Sequence, residues 1–206
     1  MNRRQHTLLQ CVLGTACCCA TAMAHAEPGG FDGWSVRGEL GFGYYSATKT
    51  NREGTQTVHE QDRGAGPLGG LYLGKAGSSS YIRGVAFTIS SAVHDWHGWG
   101  ADDVNLVVIG PYYLWYPIAD YGFSVGVVPG LAFVYETYHG NRDGVEPGLG
   151  LSMSLGYDWQ VGESWALGVV GRLSYAGVID FRSWSSEVLS PGLLFTATCC
   201  LSGLMR

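Results

Sequence analysis

The chain has 206 residues, of which 46% are hydrophobic, 13% aromatic and only 14% charged, and it carries 32 glycines. That glycine load excludes a helical protein, because each Gly in a helix interior costs about 1 kcal/mol, and the aromatic content excludes a disordered linker. A formal charge of −5 argues against nucleic acid as a partner.

The N-terminus, "MNRRQHTLLQCVLGTACCCATAMAHAEPGG", has a basic start at Arg3 and Arg4, an apolar run from about Leu8 to Ala24, and an A-x-A pattern at Ala24-His25-Ala26. This is the form of a secretory signal peptide spanning residues 1–26, cleaved before Glu27. A lipoprotein signal acylated at Cys17 is disfavoured, since Gly14 occupies a position where Leu is usual. Four of the six cysteines, Cys11, Cys17, Cys18 and Cys19, leave with the peptide. Cys199 and Cys200 remain, and neighbours in a strand point to opposite faces, so the mature chain is not a disulfide scaffold. Without Arg3 and Arg4, 10 basic residues face 17 acidic ones, a formal charge of −7. No later segment supplies the roughly 18 consecutive apolar residues of a transmembrane helix.

From Glu27 onward the chain alternates with a period of two, the mark of strands with two different faces. The first strand, about Trp34 to Ala47, sets Trp34, Val36, Leu40, Phe42 and Tyr44 against Ser35, Arg37, Glu39, Gly41 and Gly43. The second, about Gly66 to Lys75, has Leu71 and Leu73 in phase, with Leu68 and Tyr72 in the other set, so its facing is ambiguous. The third, about Tyr81 to Ser91, sets Val85, Phe87 and Ile89 against Gly84, Ala86, Thr88 and Ser90. The fourth, about Asp103 to Tyr116, groups Val104, Leu106, Val108, Tyr112, Leu114 and Tyr116 as its apolar face. The fifth, about Gly122 to Tyr135, sets Phe123, Val125, Val127, Leu131, Phe133 and Tyr135 against Ser124, Gly126, Gly130 and Ala132.

The sixth is the clearest. In "GLGLSMSLGYDW", Leu149, Leu151, Met153, Leu155, Tyr157 and Trp159 alternate with glycines, serines and Asp158. The seventh, about Trp165 to Val178, sets Trp165, Leu167, Val169, Leu173 and Tyr175 against Ala166, Gly168, Arg172, Ser174 and Ala176. The eighth, about Val188 to Leu201, sets Leu189, Leu193, Phe195 and Leu201 against Ser190, Gly192, Thr196 and Thr198.

About eight strands result, each near or above the roughly 9–11 residues that cross a membrane at a tilt. Tight links at Lys75–Ser80, Pro117–Tyr121 and Gln160–Ser164 alternate with longer polar ones at Thr48–Ala65, Ala92–Asp102, Glu136–Val145 and Ile179–Glu187. Short turns on one side and long loops on the other are the pattern of an outer-membrane barrel. Aromatics gather near the ends: Trp34, Tyr116, Tyr121, Phe123, Trp159 and Trp165 near the short turns, and Tyr44, Tyr45, Tyr135, Tyr138 and Tyr175 at the other ends. Trp and Tyr favour the membrane–water interface, so two belts with Leu, Val, Ile and Met between them describe a lipid-facing band. The fold expected is all-β, a closed antiparallel up-and-down transmembrane barrel over residues 27–206. Its bare face of Gly and Ser points into a narrow interior that side chains fill.

The chain thus resembles the small bacterial outer-membrane β-barrel proteins, the group that includes the OmpA transmembrane domain, OmpX and OmpW, over Glu27 to about Leu201. The resemblance implies an outer-membrane location, a monomer among outer-membrane lipids, no cofactor, and either a structural or surface-interaction role or porin-like passage of a small solute. The last strand also resembles the signal read by the outer-membrane insertion machinery, with Ser190, Gly192, Phe195 and Ala197 in its places, although the chain runs on through "CCLSGLMR" instead of ending on an aromatic residue.

Arg37, Glu39, Asp158 and Arg172 fall on the interior face. Charges in a dry lumen must pair, so they are expected to form a polar network, either a static filling or a plug. The stretch "VHDWHGWGADD" gathers His94, Asp95, His97, Asp102 and Asp103 without recognised ligand spacing, and no metal is expected there. An enzyme of this architecture acting on lipid A would need Ser, His and an acid converging at one rim. Ser91 with His94 and Asp95, or Ser174 with His139, are the nearest sets, and neither serine sits in a nucleophile motif. His59 and His139 are expected in loops. The expectation is a non-enzymatic barrel; a lipid A-modifying enzyme and a soluble periplasmic ligand-binding barrel are the alternatives. N-terminal sequencing of the mature protein should return Glu27, and a lipid-modified Cys17 would displace that cleavage site.

Overall fold

The computed structural model describes residues 33–53, 56–78, 80–95, 101–118, 122–138, 141–162, 164–179 and 184–201. Residues 1–26, where a signal peptide is expected, and Tyr121, His97 and His139 lie outside the described residues. Eight strands follow one another: β1 (Gly33–Glu53), β2 (Gln56–Ser78), β3 (Tyr81–Asp95), β4 (Ala101–Ile118), β5 (Phe123–Tyr138), β6 (Asn141–Gln160), β7 (Trp165–Ile179) and β8 (Trp184–Cys200). Each pairs antiparallel with the next, and β8 pairs with β1, so the sheet closes.

Closure leaves no free edge, the condition for a sheet in hydrocarbon. Following ladder partners from Gly38 through Leu71, Phe87, Ile109, Leu131, Leu149, Gly177 and Glu187 returns to β1 at Thr48, ten residues along. That stagger tilts the strands by about 35–45° and fixes a bore that side chains can fill. The β4–β5 ladder lapses between the pairs Ile109–Leu131 and Tyr113–Val127, where Pro111 and Pro129 supply no N–H.

Alternation sorts the side chains into two environments. Phe195 is 70% and Leu149 69% exposed on the outer wall, whereas Leu194 and Val108 are fully buried inside. Leu71 and Leu73 face outward and Leu68 and Tyr72 inward, which resolves the ambiguous second strand. The outer wall is a band of Leu, Val, Ile, Phe and Met ending at the short turns in Trp34, Trp115, Trp159 and Trp165.

Two expectations are corrected. The fourth strand has the opposite phase: Val104, Leu106, Val108, Tyr112, Leu114 and Tyr116 are buried inside, while Ile109, Tyr113 and Trp115 face out. β4 is apolar on both faces, so its own pattern does not choose. The choice comes from nearby strands, where small residues leave space. A Cβ on Gly150 would stand 2.9 Å from Val108, one on Gly74 2.6 Å from the Tyr112 hydroxyl, and one on Gly126 3.3 Å from Leu114. Close packing of the interior therefore turns the bulky set of β4 inward. Tyr116 leaves the expected aromatic belt with the rest of its strand, and Tyr45 lies inside because it is in phase with Arg37 and Glu39 on β1; each is 3% exposed.

The long polar loops are also largely strand. β1 and β2 stay paired out to Glu53 and Gln56, and His59 pairs with Thr50 within that ladder. β3–β4 and β5–β6 likewise stay paired to Asp95–Ala101 and Tyr138–Asn141. Polar side chains remove the apolar signature there, but backbone pairing continues past the lipid band because a hairpin saves its own hydrogen bonds wherever it stands.

The inside–outside assignment of β4 is directly testable. A spin label at position 109 should be accessible to lipid-dissolved oxygen and one at 108 should not. Leu193→Arg on the lipid face should cost about 2–4 kcal/mol in refolding from urea.

Candidate functional site

The interior of the barrel holds the densest polar chemistry. Alternation points Arg37 and Glu39 of β1, Asp158 of β6 and Arg172 of β7 inward, and the curvature of the wall brings them together. Arg37 donates from Nε to Glu39 Oε1 at 3.1 Å and from Nη1 to Asp158 Oδ2 at 2.8 Å. Arg172 reaches across the bore from β7, donating from Nη1 to Glu39 Oε2 at 3.4 Å and to the Gly69 carbonyl at 2.8 Å. Its Nη2 donates to the Ile89 carbonyl at 3.0 Å. The four charges cancel, and all four side chains are at most 2% exposed.

Neutral donors complete the carboxylates. Tyr72 donates to Glu39 Oε2 at 2.8 Å. Tyr116 donates to Asp158 Oδ2 at 3.0 Å and Thr196 to Asp158 Oδ1 at 3.0 Å. Arg37 Nη1 also lies 3.5 Å from Thr198 Oγ1. The network draws side chains from β1, β2, β4, β6, β7 and β8. Space for it is made by missing side chains: a Cβ on Gly168 would stand 2.2 Å from Asp158 Oδ1, and one on Gly70 3.1 Å from Arg172 Nη1.

The four charged positions follow from alternation on strands of clear phase. Tyr72 and Tyr116 do not, because the first lay on a strand of ambiguous facing and the second on the strand of reversed phase. A tyrosine in a set shared with interior glycines was the available signal. Toward the other end the bore is apolar, closed by Tyr45, Leu68, Leu106, Val134, Val178 and Val188.

The remaining candidates are placed as follows. Ser190 is buried inside on β8, Gly192 faces the same way, Phe195 is on the outer wall, and Ala197 shares its face. Ser91 donates to Asn105 Oδ1 across the β3–β4 ladder. Ser174 is buried and hydrogen-bonded to Ser152. His94, Asp95, Asp102 and Asp103 lie on the paired ends of β3 and β4, and their side chains are outside the described residues. Among the described residues no group of His, Cys, Asp and Glu could hold a metal. Cys199 and Cys200 are free thiols on opposite faces of β8.

A closed eight-stranded barrel with an apolar outer wall and a filled interior that encloses a charge-paired network is a transmembrane barrel of the outer-membrane type. The chain is similar to several solved structures. Neisserial surface protein A is similar at 16% identity and a TM-score of 0.47, over 84% of this chain and 100% of that one. OprG from Pseudomonas aeruginosa is similar at 12% identity and a TM-score of 0.42, over 84% and 99%. The outer-membrane protease OmpT from Escherichia coli is similar at 8% identity and a TM-score of 0.45, over 82% and 96%. No protein-family model and no curated protein matches the chain.

Removing Glu39 leaves Arg37 with Asp158 and leaves the Arg172 guanidinium facing only the Gly69 and Ile89 carbonyls, without its carboxylate. Glu39→Ala should destabilise the barrel by about 3–5 kcal/mol. The pair Glu39→Gln with Arg172→Met should recover part of that loss, because no charge is then left unmatched. Urea titrations of the singles and the double in detergent measure the coupling.

Proposed function

We propose that this protein is a non-enzymatic integral outer-membrane barrel that works through its outward hairpins, with its bore serving as a filled structural core. The observation that carries this reading is the lumen network: two arginines and two carboxylates, hydrogen-bonded to one another and to Tyr72, Tyr116 and Thr196, stand across the bore. An open pore needs water along its axis, and here charge is neutralised by charge. In this reading the short turns face the periplasm. The paired extensions of β1–β2, β3–β4 and β5–β6 stand beyond the lipid band on the outside, where they are available for contact with other surfaces.

The serines of the sequence patterns also favour a non-catalytic role. Ser91 is engaged with Asn105, and Ser174 is enclosed in the bore against Ser152. Neither presents a free hydroxyl at a rim beside a base, which acyl transfer requires. Passage of a small solute requires the network to open, so it belongs to a rearranged state of the same residues.

Three measurements test the reading together. Lipid A from cells with and without the gene should have the same mass spectrum; a lost or gained acyl chain would establish an enzyme. The purified protein should show no sustained conductance in planar bilayers, and Glu39→Ala should raise it. An epitope inserted between Glu53 and Gln56 should bind antibody on intact cells, and recovery of the protein from the soluble periplasm would overturn the membrane placement.

A further inference from the structure

Two cations stand side by side on the outer wall near the short-turn end. Lys75 of β2 and Arg83 of β3 are direct ladder partners, and both are exposed. Of the described side chains, the other outward-facing charges, Arg63 and Glu187, lie toward the opposite end, and Arg63 is hydrogen-bonded to Gln61. Like charges placed directly opposite in an antiparallel pair repel and destabilise the ladder. No carboxylate among the described residues relieves this pair. The ladder neighbours are Trp34 beside Lys75 and Tyr113 beside Arg83. Along the strands, the same face continues with Leu73 and Val85.

The surroundings fix the depth. Tyr81 stacks on Tyr113 with ring centroids 5.7 Å apart and planes 10° from parallel. Trp34 and Trp115, each about half exposed, complete the aromatic frame. Such rings mark the level of lipid headgroups, where phosphates lie. Lys and Arg stems run along apolar wall and present their charged heads at that level. A guanidinium grips a phosphate through paired N–H donors, and an ammonium beside it adds a point charge.

We propose that Lys75 and Arg83 form a binding site for the headgroup phosphate of an anionic phospholipid. A zwitterionic lipid brings its own ammonium toward two cations and is disfavoured, whereas an anionic one relieves their repulsion. The assignment of the lipid to the periplasmic leaflet rests on the orientation given under the proposed function; the site itself does not.

The test uses the refolded chain in nanodiscs of mixed phosphatidylglycerol and phosphatidylethanolamine, with native mass spectrometry reading the lipids that stay bound. Both faces of a nanodisc carry the same lipids, so the readout is independent of orientation. The wild type should retain phosphatidylglycerol preferentially. Lys75→Gln and Arg83→Gln should each reduce that preference about fivefold, and the double variant should abolish it. Arg63→Gln, an exposed cation at the other end, should leave it unchanged. Heat-dependent gel mobility reports whether each variant is folded, and the single variants carry the test if the double does not fold. Equal retention in wild type and single variants would overturn the site. Displacement of the lipid by millimolar inorganic phosphate would overturn the lipid assignment in favour of a free-anion site.

Discussion

Everything in this molecule depends on the need to satisfy backbone hydrogen bonds where no water is present. In hydrocarbon an unpaired N–H or C=O costs several kcal/mol, so a spanning sheet has to close on itself. Closure between β8 and β1 sets the strand number, the ten-residue stagger sets the tilt, and together they fix the bore. Once the bore is fixed, its filling is a packing problem with a charge constraint added. The lipid face carries a different demand, to be apolar in the middle and amphipathic at the ends.

The interior meets its packing problem unevenly. Gly70, Gly74, Gly126, Gly150 and Gly168 make room on some walls for Arg172, Tyr112, Leu114, Val108 and Asp158 on others. Large and small residues therefore match between strands, Gly126 and Gly168 beside their ladder partners Leu114 and Asp158, and not along any one strand. The charges obey the same geometry. Arg37 links Glu39 and Asp158, and Arg172 caps the other side of Glu39 while holding the Gly69 and Ile89 carbonyls of β2 and β3. A network of this kind makes the bore specific to one arrangement of the strands. A register slip of one residue would send each of these charges into lipid.

The outer wall distributes charge in the opposite manner. Its apolar band carries no charged residue among the described side chains until the aromatic level near the short turns, where Lys75 and Arg83 stand together. Inside, opposite charges are gathered and enclosed. Outside, like charges are gathered and left open, at the depth where lipid phosphates supply the missing sign. Both arrangements follow from one electrostatic rule applied on the two faces of a single sheet.

Alternation alone settled the architecture and the facing of six strands, because a period of two with a bare face and a fatty face has few physical solutions; β2, with Leu68 and Tyr72 set against Leu71 and Leu73, stayed ambiguous until the tertiary structure turned the first pair inward. It also placed Arg37, Glu39, Asp158 and Arg172 on the inner face, since each lies out of phase with an unmistakable apolar row. The sequence did not settle β4, whose residues from Val104 to Tyr116 are apolar on both faces. Nor did it reveal how far the ladders run beyond the lipid, because pairing there is held by the backbone and leaves no mark on side chains. Tertiary structure decided both. β4 turns Val108, Tyr112 and Leu114 inward because other walls leave that volume empty, and Tyr116 then reaches Asp158. A strand's own pattern reports its contrast between two solvents; when both faces are apolar, only the shape of the space across the barrel can choose.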